Sequence, residues 1–211
     1  MLPLTLKDLS FVIFDLETTG LYPDQGDEVI EIGAVVVENF QIAEKHFHRM
    51  VNPGKPIPAA STAIHGIKDK DIEKADSMSK ILPEFLSFMG NRIWVAQNAK
   101  FDLGFILTKM KQLNMQFKQT IVIDTIGISK ILFPYEQYHN LDVIMNRLGI
   151  ARTGERHRSV DDSKYTALVL IEFIKLLAQQ GIHTLPEIEQ AFVKPESLMK
   201  SEKPKTRSLF G

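Results

Sequence analysis

Residues 11–20 read Phe-Val-Ile-Phe-Asp-Leu-Glu-Thr-Thr-Gly, an apolar run that ends in two carboxylates. Bounded by Ser10 and by the Thr18-Thr19-Gly20 turn, this run reads as a buried strand. Side chains at i and i+2 share a face, so Asp15 and Glu17 point the same way, while Leu16 points to the other face and can stay in the core. Two carboxylates a few ångströms apart repel and raise each other's pKa. A divalent cation between them removes that cost. Any fold for this chain must therefore bury a strand whose end carries a repelling pair. An Asp-x-Glu alone is also what a polar strand end beside a turn looks like.

The following segments set the topology. Glu28–Phe40 is rich in Val and Ile and reads as a long strand, and 45–53 alternates before Asn-Pro-Gly and reads as a third. The short turn between them favours an antiparallel hairpin. Pro56 and Pro58 then mark a loop. From Asp69 the period changes, with Ile81, Leu82, Phe85, Leu86 and Met89 at helical spacing. A short strand is expected around Trp94, a helix over Asn98–Leu113 with Asn98 as N-cap, a strand at 120–124, and helices from Thr125, Asn140, Ser159 and Thr184. This predicts an α/β protein with one mixed five-stranded sheet, a three-strand antiparallel meander followed by parallel strands, with helices packed on it. Residues 1–193 form the expected domain. Residues 194–211 read as a flexible basic tail, rich in Lys, Pro, Glu and Ser.

Composition narrows the chemistry. The chain has no cysteine, which removes disulfides, thiolate metal sites and thiol nucleophiles. The metals left are those that oxygen ligands hold. No apolar run approaches the roughly 18–20 residues of a membrane helix, and the N-terminus lacks the pattern of a signal peptide. A soluble, cytoplasmic protein with no membrane contact is expected. The net charge of −1 argues against a uniformly basic nucleic-acid binder. It is unevenly spread. The tail from Lys194 holds five Lys/Arg and two Asp/Glu, or +3, which leaves 20 − 24 = −4 for residues 1–193.

Three further acids or bases stand out. Asp102 opens a mid-chain helix, where a carboxylate is also favoured by the helix dipole alone. Asp162 lies at the start of a late helix, where Ser159 and Asp162 fit a capping box, and Asp161 is its rival. His157 precedes that helix between Arg156 and Arg158, whose charges would lower its pKa toward that of a general base.

Taken in order, FDLETTG (14–20), EVIEIGAV (28–35), AIHGI (63–67), NAKFD (98–102), IDT (123–125), NLDVIMNRLGI (140–150) and HRSVDD (157–162) resemble the DEDDh 3′–5′ exonucleases. Within them they are most similar to the group that holds the proofreading epsilon subunit of bacterial DNA polymerase III. The resemblance runs from about Ser10 to Leu177. It implies a ribonuclease H-like fold. It also implies two Mg²⁺ or Mn²⁺ ions on Asp15, Glu17, Asp102 and Asp162, and His157 as the base that deprotonates the attacking water. Thr18, Ile64 and His65 would meet the terminal nucleotide, and Asn98 and Phe101 the second. For Asn98, Phe101 and Ile64 the alternatives are an N-cap and two core residues. Gln97 and Ser159 depart from the usual His and Ala of these motifs without removing a ligand.

The implied activity is hydrolysis of single-stranded or frayed DNA 3′ ends to nucleoside 5′-monophosphates. The same chemistry on RNA or short oligoribonucleotides is the alternative, and an inactive nucleic-acid-binding module is a third reading. Ser208-Leu209-Phe210 resembles the end of the peptide that binds the sliding clamp, so Leu209 and Phe210 would be anchors. The clamp and DNA polymerase III are the protein partners so implied.

Overall fold

The computed structural model describes residues 5–118, 121–153 and 158–199. Their strands and helices follow in chain order. β1 (Phe11–Thr18), β2 (Val29–Glu38) and β3 (Gln41–Met50) come first, then α1 (Ala59–His65), α2 (Asp69–Ile72) and α3 (Met78–Met89). Next are β4 (Ile93–Ala96), α4 (Ala99–Gln112), β5 (Val122–Asp124), α5 (Thr125–Leu132), α6 (Leu141–Arg147) and α7 (Ser159–Gln179). β6 (Phe192–Val193) and α8 (Pro195–Met199) close the described chain.

The sheet order is β3-β2-β1-β4-β5-β6. β1, β2 and β3 form the antiparallel meander, and β4 and β5 run parallel to β1. The meander turns at Asn39 and Phe40, both at positive φ, which matches a tight two-residue hairpin. The sheet has six strands, not the five expected. β6 pairs antiparallel with β5 over only two residues, too few to leave a periodic signal.

Alternation along β1 divides the core into two layers. Val12, Phe14 and Leu16 pack with residues of α3 and α4, where Phe14, Phe85 and Trp94 meet edge to face at ring-centroid separations of 5.7–6.3 Å. Phe11 and Ile13 face the other way, against α5, α6 and α7. Asp15 and Glu17 continue this second row, so both fall on the α7 side. β3 lies at the sheet edge, where its charged residues keep one flank in water.

Three expectations need correction. Ala59–His65 is a helix where Pro56 and Pro58 predict a loop, because the chain turns helical directly after Pro58. The segment after Thr184 is a 3₁₀ stretch (Pro186–Ala191) broken at Ile188, not an α-helix; the Glu187 carboxylate takes the amides of His183 and Thr184 and tightens the turn. The tail expected from residue 194 begins with α8, whose Leu198 packs against the α4 layer. Among the described residues no helix is long and apolar enough to cross a membrane.

Candidate metal centre

β1 outruns β4. Their pairing runs to Ile13 and Val95, and the acidic end of β1 continues beyond it. Here Asp15, Glu17 and Asp162 bring carboxylate oxygens within 4.8 Å of one another. Asp162 arrives in the first turn of α7, on the same face of the sheet. Asp102 comes from the opposite layer, in the first turn of α4, and its Oδ1 accepts the Leu16 N–H at 3.0 Å. Three of the four expected ligands therefore converge directly. The fourth is buried beside them with one oxygen committed to the backbone of β1.

The cluster is electrostatically costly. Burial holds Asp15 well above the usual carboxylate range, and Asp102, Glu17, Asp162 and Glu31 add to the effect. Glu17 is pushed up to about 8, first by burial and then by Glu31, Asp162 and Asp102. Asp102 is also raised to about 8, chiefly by burial, although the Leu16 amide pulls it down. Hard oxygen donors held together at this cost are what a hard divalent cation stabilises, and the cysteine-free chain brings no thiolate to compete.

Two charged residues that the sequence hides complete the surroundings. Arg152 Nη1 donates to Asp162 Oδ1 at 2.6 Å and its Nη2 lies 3.2 Å from Asp142, while the guanidinium sits 4.5 Å from the Tyr165 ring centroid. Glu31, on β2, is 2% exposed and stands opposite Glu17. No local pattern marks either residue, because their partners are brought in by the fold. The capping box expected from Ser159 and Asp162 does not form. Arg158 is the N-cap residue, Ser159 is already helical, and the Asp162 carboxylate is held by Arg152.

Arg152→Ala should cost about 2–3 kcal/mol in urea unfolding, since it strips a largely buried carboxylate of its partner. Arg152→Lys should recover little of it, because Lys lacks the planar fork that spans Asp142 and Asp162.

The other predicted residues that the structure describes lie on β1, on α1 and around the start of α4. The Thr18 hydroxyl donates to the Gly20 carbonyl at 2.6 Å. The Ser61 hydroxyl donates to the Thr19 carbonyl at 2.7 Å and so ties α1 to the end of β1. On α1, Ile64 is 60% exposed, whereas His65 is buried and its Nδ1 accepts the Ile67 N–H at 3.0 Å. Ile64 is thus not a core residue. Asn98 occupies the N-cap position of α4 in a left-handed conformation with no side-chain cap bond, and its own amide donates to Asp124 Oδ1. Phe101 packs on Phe105 and on the α4 layer of the core. Gln97 is pinned between Thr125 and the His139 carbonyl. His157, Leu209 and Phe210 lie outside the described residues.

The family model described as "Exonuclease" matches residues 12–170. A DNA polymerase III subunit epsilon-like protein of Rhodobacter capsulatus is 39% identical over 181 residues, which cover 85% of this chain and 26% of that protein. The 3′-5′ exonuclease DinG of Bacillus subtilis is 33% identical over 180 residues, 85% of this chain and 19% of that protein. The chain thus spans about a quarter or less of these relatives. Among solved structures, Exonuclease X in complex with 5′ overhanging duplex DNA superposes with a TM-score of 0.64 at 24% identity, over 78% of this chain and 91% of that one, and shares the fold. With the family match spanning most of the sheet and α7, this chain belongs to the exonuclease family.

Proposed function

We propose that this exonuclease removes nucleotides from the 3′ end of single-stranded or frayed DNA, releasing nucleoside 5′-monophosphates. The observation that carries the reading is the convergence of carboxylate oxygens from Asp15, Glu17 and Asp162 at the end of β1, with Asp102 buried alongside. Asp15, Glu17, Asp102 and Asp162 would hold two Mg²⁺ or Mn²⁺ ions. Bound there, such ions supply Lewis-acid stabilisation of both the entering and the leaving oxygen of a phosphodiester. The protein's own part is positional. β1 presents Asp15 and Glu17 on one face, α7 delivers Asp162, and Arg152 fixes the orientation of its carboxylate. His157, in the sequence just before α7, is assigned the proton of the attacking water. The exposed Ile64 on α1, a helix that Ser61 ties to the chain just after β1, would offer an apolar surface to an unstacked terminal base, which favours a frayed end over a paired one. A DNA polymerase III subunit epsilon-like protein and a 3′-5′ exonuclease among the relatives support DNA and a 3′-to-5′ direction. DNA polymerase III is the partner they point to. The sliding clamp, through Leu209 and Phe210, is proposed from the tail motif.

The test is digestion of a single-stranded DNA, the same sequence as RNA, and duplexes with paired or mismatched 3′ ends, with Mg²⁺, Mn²⁺ or a chelator. Metal-dependent release of mononucleotides is expected, fastest from single-stranded DNA and faster from mismatched than paired ends. A strong preference for RNA would transfer the proposal to that substrate. Absence of metal-dependent release from all four would defeat it.

A further inference from the structure

Glu31 is a further buried carboxylate at the acidic end of the sheet, and the proposed ligand set does not use it. In the β1–β2 register Glu31 lies directly opposite Glu17, and Gly33 directly opposite Asp15. Like charges placed opposite each other destabilise a sheet, so Glu31 needs compensation there. Both its oxygens are engaged away from the cluster. Oε1 lies 2.8 Å from His48 Nε2 on β3, and Oε2 accepts the Ser159 N–H at 3.0 Å. Ser159 is the first residue of α7, a helix whose N-cap residue, Arg158, makes no side-chain capping bond. A carboxylate on a first-turn amide satisfies one of the orphan donors of the helix and complements its dipole. Here that carboxylate comes from a strand far away in the sequence.

The same stretch of β2 grips α7 again one pleat on. The Ser163 hydroxyl donates to the Gly33 carbonyl at 3.1 Å, and Gly33 leaves room for the backbone of Ser159 and Val160. Asp162 sits between the Ser159 and Ser163 anchors. We propose that Glu31 is a positioning residue: backed by His48, its carboxylate clamps the first turn of α7 to β2 and so sets where Asp162 meets Asp15 and Glu17. The proposal rests on the metal-dependent nuclease reading, and it predicts effects on both metal binding and turnover.

The test compares the full-length chain with Glu31→Ala, Glu31→Gln and His48→Ala. Glutamine keeps an acceptor for Ser159, and its N–H can donate to His48 Nε2 once the imidazole carries its proton on Nδ1, so it should behave nearly as wild type. Glu31→Ala should weaken Mn²⁺ binding by calorimetry about tenfold and lower kcat about ten- to a hundredfold, with KM for a single-stranded oligonucleotide within about twofold. Amide hydrogen exchange over residues 159–163 of the metal-free protein should quicken in Glu31→Ala and stay slow in Glu31→Gln. His48→Ala should give a smaller change in the same direction. A folded Glu31→Ala with unchanged Mn²⁺ affinity and kcat would overturn the proposal, as would a Glu31→Gln as damaged as Glu31→Ala. If Glu31→Ala does not fold, Glu31→Gln and His48→Ala decide: slow exchange and tight Mn²⁺ binding in Glu31→Gln, with a partial loss in His48→Ala, are expected. Unchanged binding and exchange in His48→Ala would then count against the clamp. Should the wild type bind Mn²⁺ but cleave no nucleic acid, the nuclease reading fails while binding and exchange still test the clamp.

Discussion

Asp15→Asn should abolish metal-dependent cleavage, a loss on the order of a thousandfold or more, while making the metal-free protein more stable. The two effects have one origin. Asp15 lies among Asp102, Glu17, Asp162 and Glu31, and each of these charges adds to the desolvation that opposes its ionisation. Replacing it with a neutral isostere removes a ligand and also removes a repulsion. The gain should be about 1–3 kcal/mol in the absence of metal at pH 8. The pH dependence fixes the sign. Glu17 titrates near 4.5 when unperturbed and near 8 in the fold, so between these values the folded chain holds a proton that the unfolded chain has lost. Stability therefore falls as pH rises from about 4.5 to about 8. Metal-free wild type should unfold at lower urea concentration at pH 8 than at pH 5.5, and Asp15→Asn should reduce the difference. Mg²⁺ should raise the pH 8 midpoint of the wild type, because it binds only the folded state, and should do little for the variant. Glu31 is shifted the other way: burial would raise it, but the bonds from His48 and Ser159 outweigh burial. Its contribution is lost only at pH values below this window.

Gly33→Ala should be among the most damaging additions of a single methyl group to this chain. A Cβ at Gly33 would lie 2.3 Å from the carbonyl carbon of Ser159 and from the amide nitrogen of Val160. Both are backbone atoms at the start of α7, so no side chain can swing aside, and either the helix or β2 must move. The expected cost is about 3 kcal/mol in urea unfolding, with Mn²⁺ affinity reduced at least about tenfold as Asp162 leaves the cluster. Gly104→Ala supplies the contrast. A Cβ there meets only Pro23 Cγ at 3.9 Å, and the residue lies inside α4, so alanine should be neutral or stabilising by up to about 1 kcal/mol. Equal effects from the two substitutions would show that the β2–α7 contact does not govern the site.

The sequence carries the parts of this account that depend on short-range pattern. β1 is legible because an apolar run is bounded by a turn, and period-two alternation alone puts Asp15 and Glu17 on one face and Leu16 on the other. α3 is legible from spacing, and helices expected from Thr125 and Asn140 are found as α5 and α6, where the Asn140 side chain accepts the Val143 N–H. What escapes is long-range. Glu31 sits in a Val/Ile-rich strand as an apparently misplaced charge, and its partners are 17 and 128 residues away. Arg152 lies in a loop and acquires meaning only when α7 brings Asp162 and Tyr165 against it. The capping box at Ser159 fails for the same reason: local chemistry favours it, but the first-turn amide is taken by Glu31 and the carboxylate by Arg152. β6 and the 3₁₀ stretch before it are too short for either period to register.

In the proposed function, the acidic end of β1 is a metal-dependent centre that shortens a strand from its 3′ end. The direct measurement is a time course on a single-stranded DNA labelled at its 5′ end, with Mg²⁺ or a chelator, resolved at single-nucleotide steps. The expected result is a ladder that shortens one nucleotide at a time from the 3′ end, with 5′-monophosphates as the released product. No ladder should form with chelator or with Asp15→Asn. Immediate release of the 5′ label, internal cuts, or an identical ladder from Asp15→Asn would contradict it.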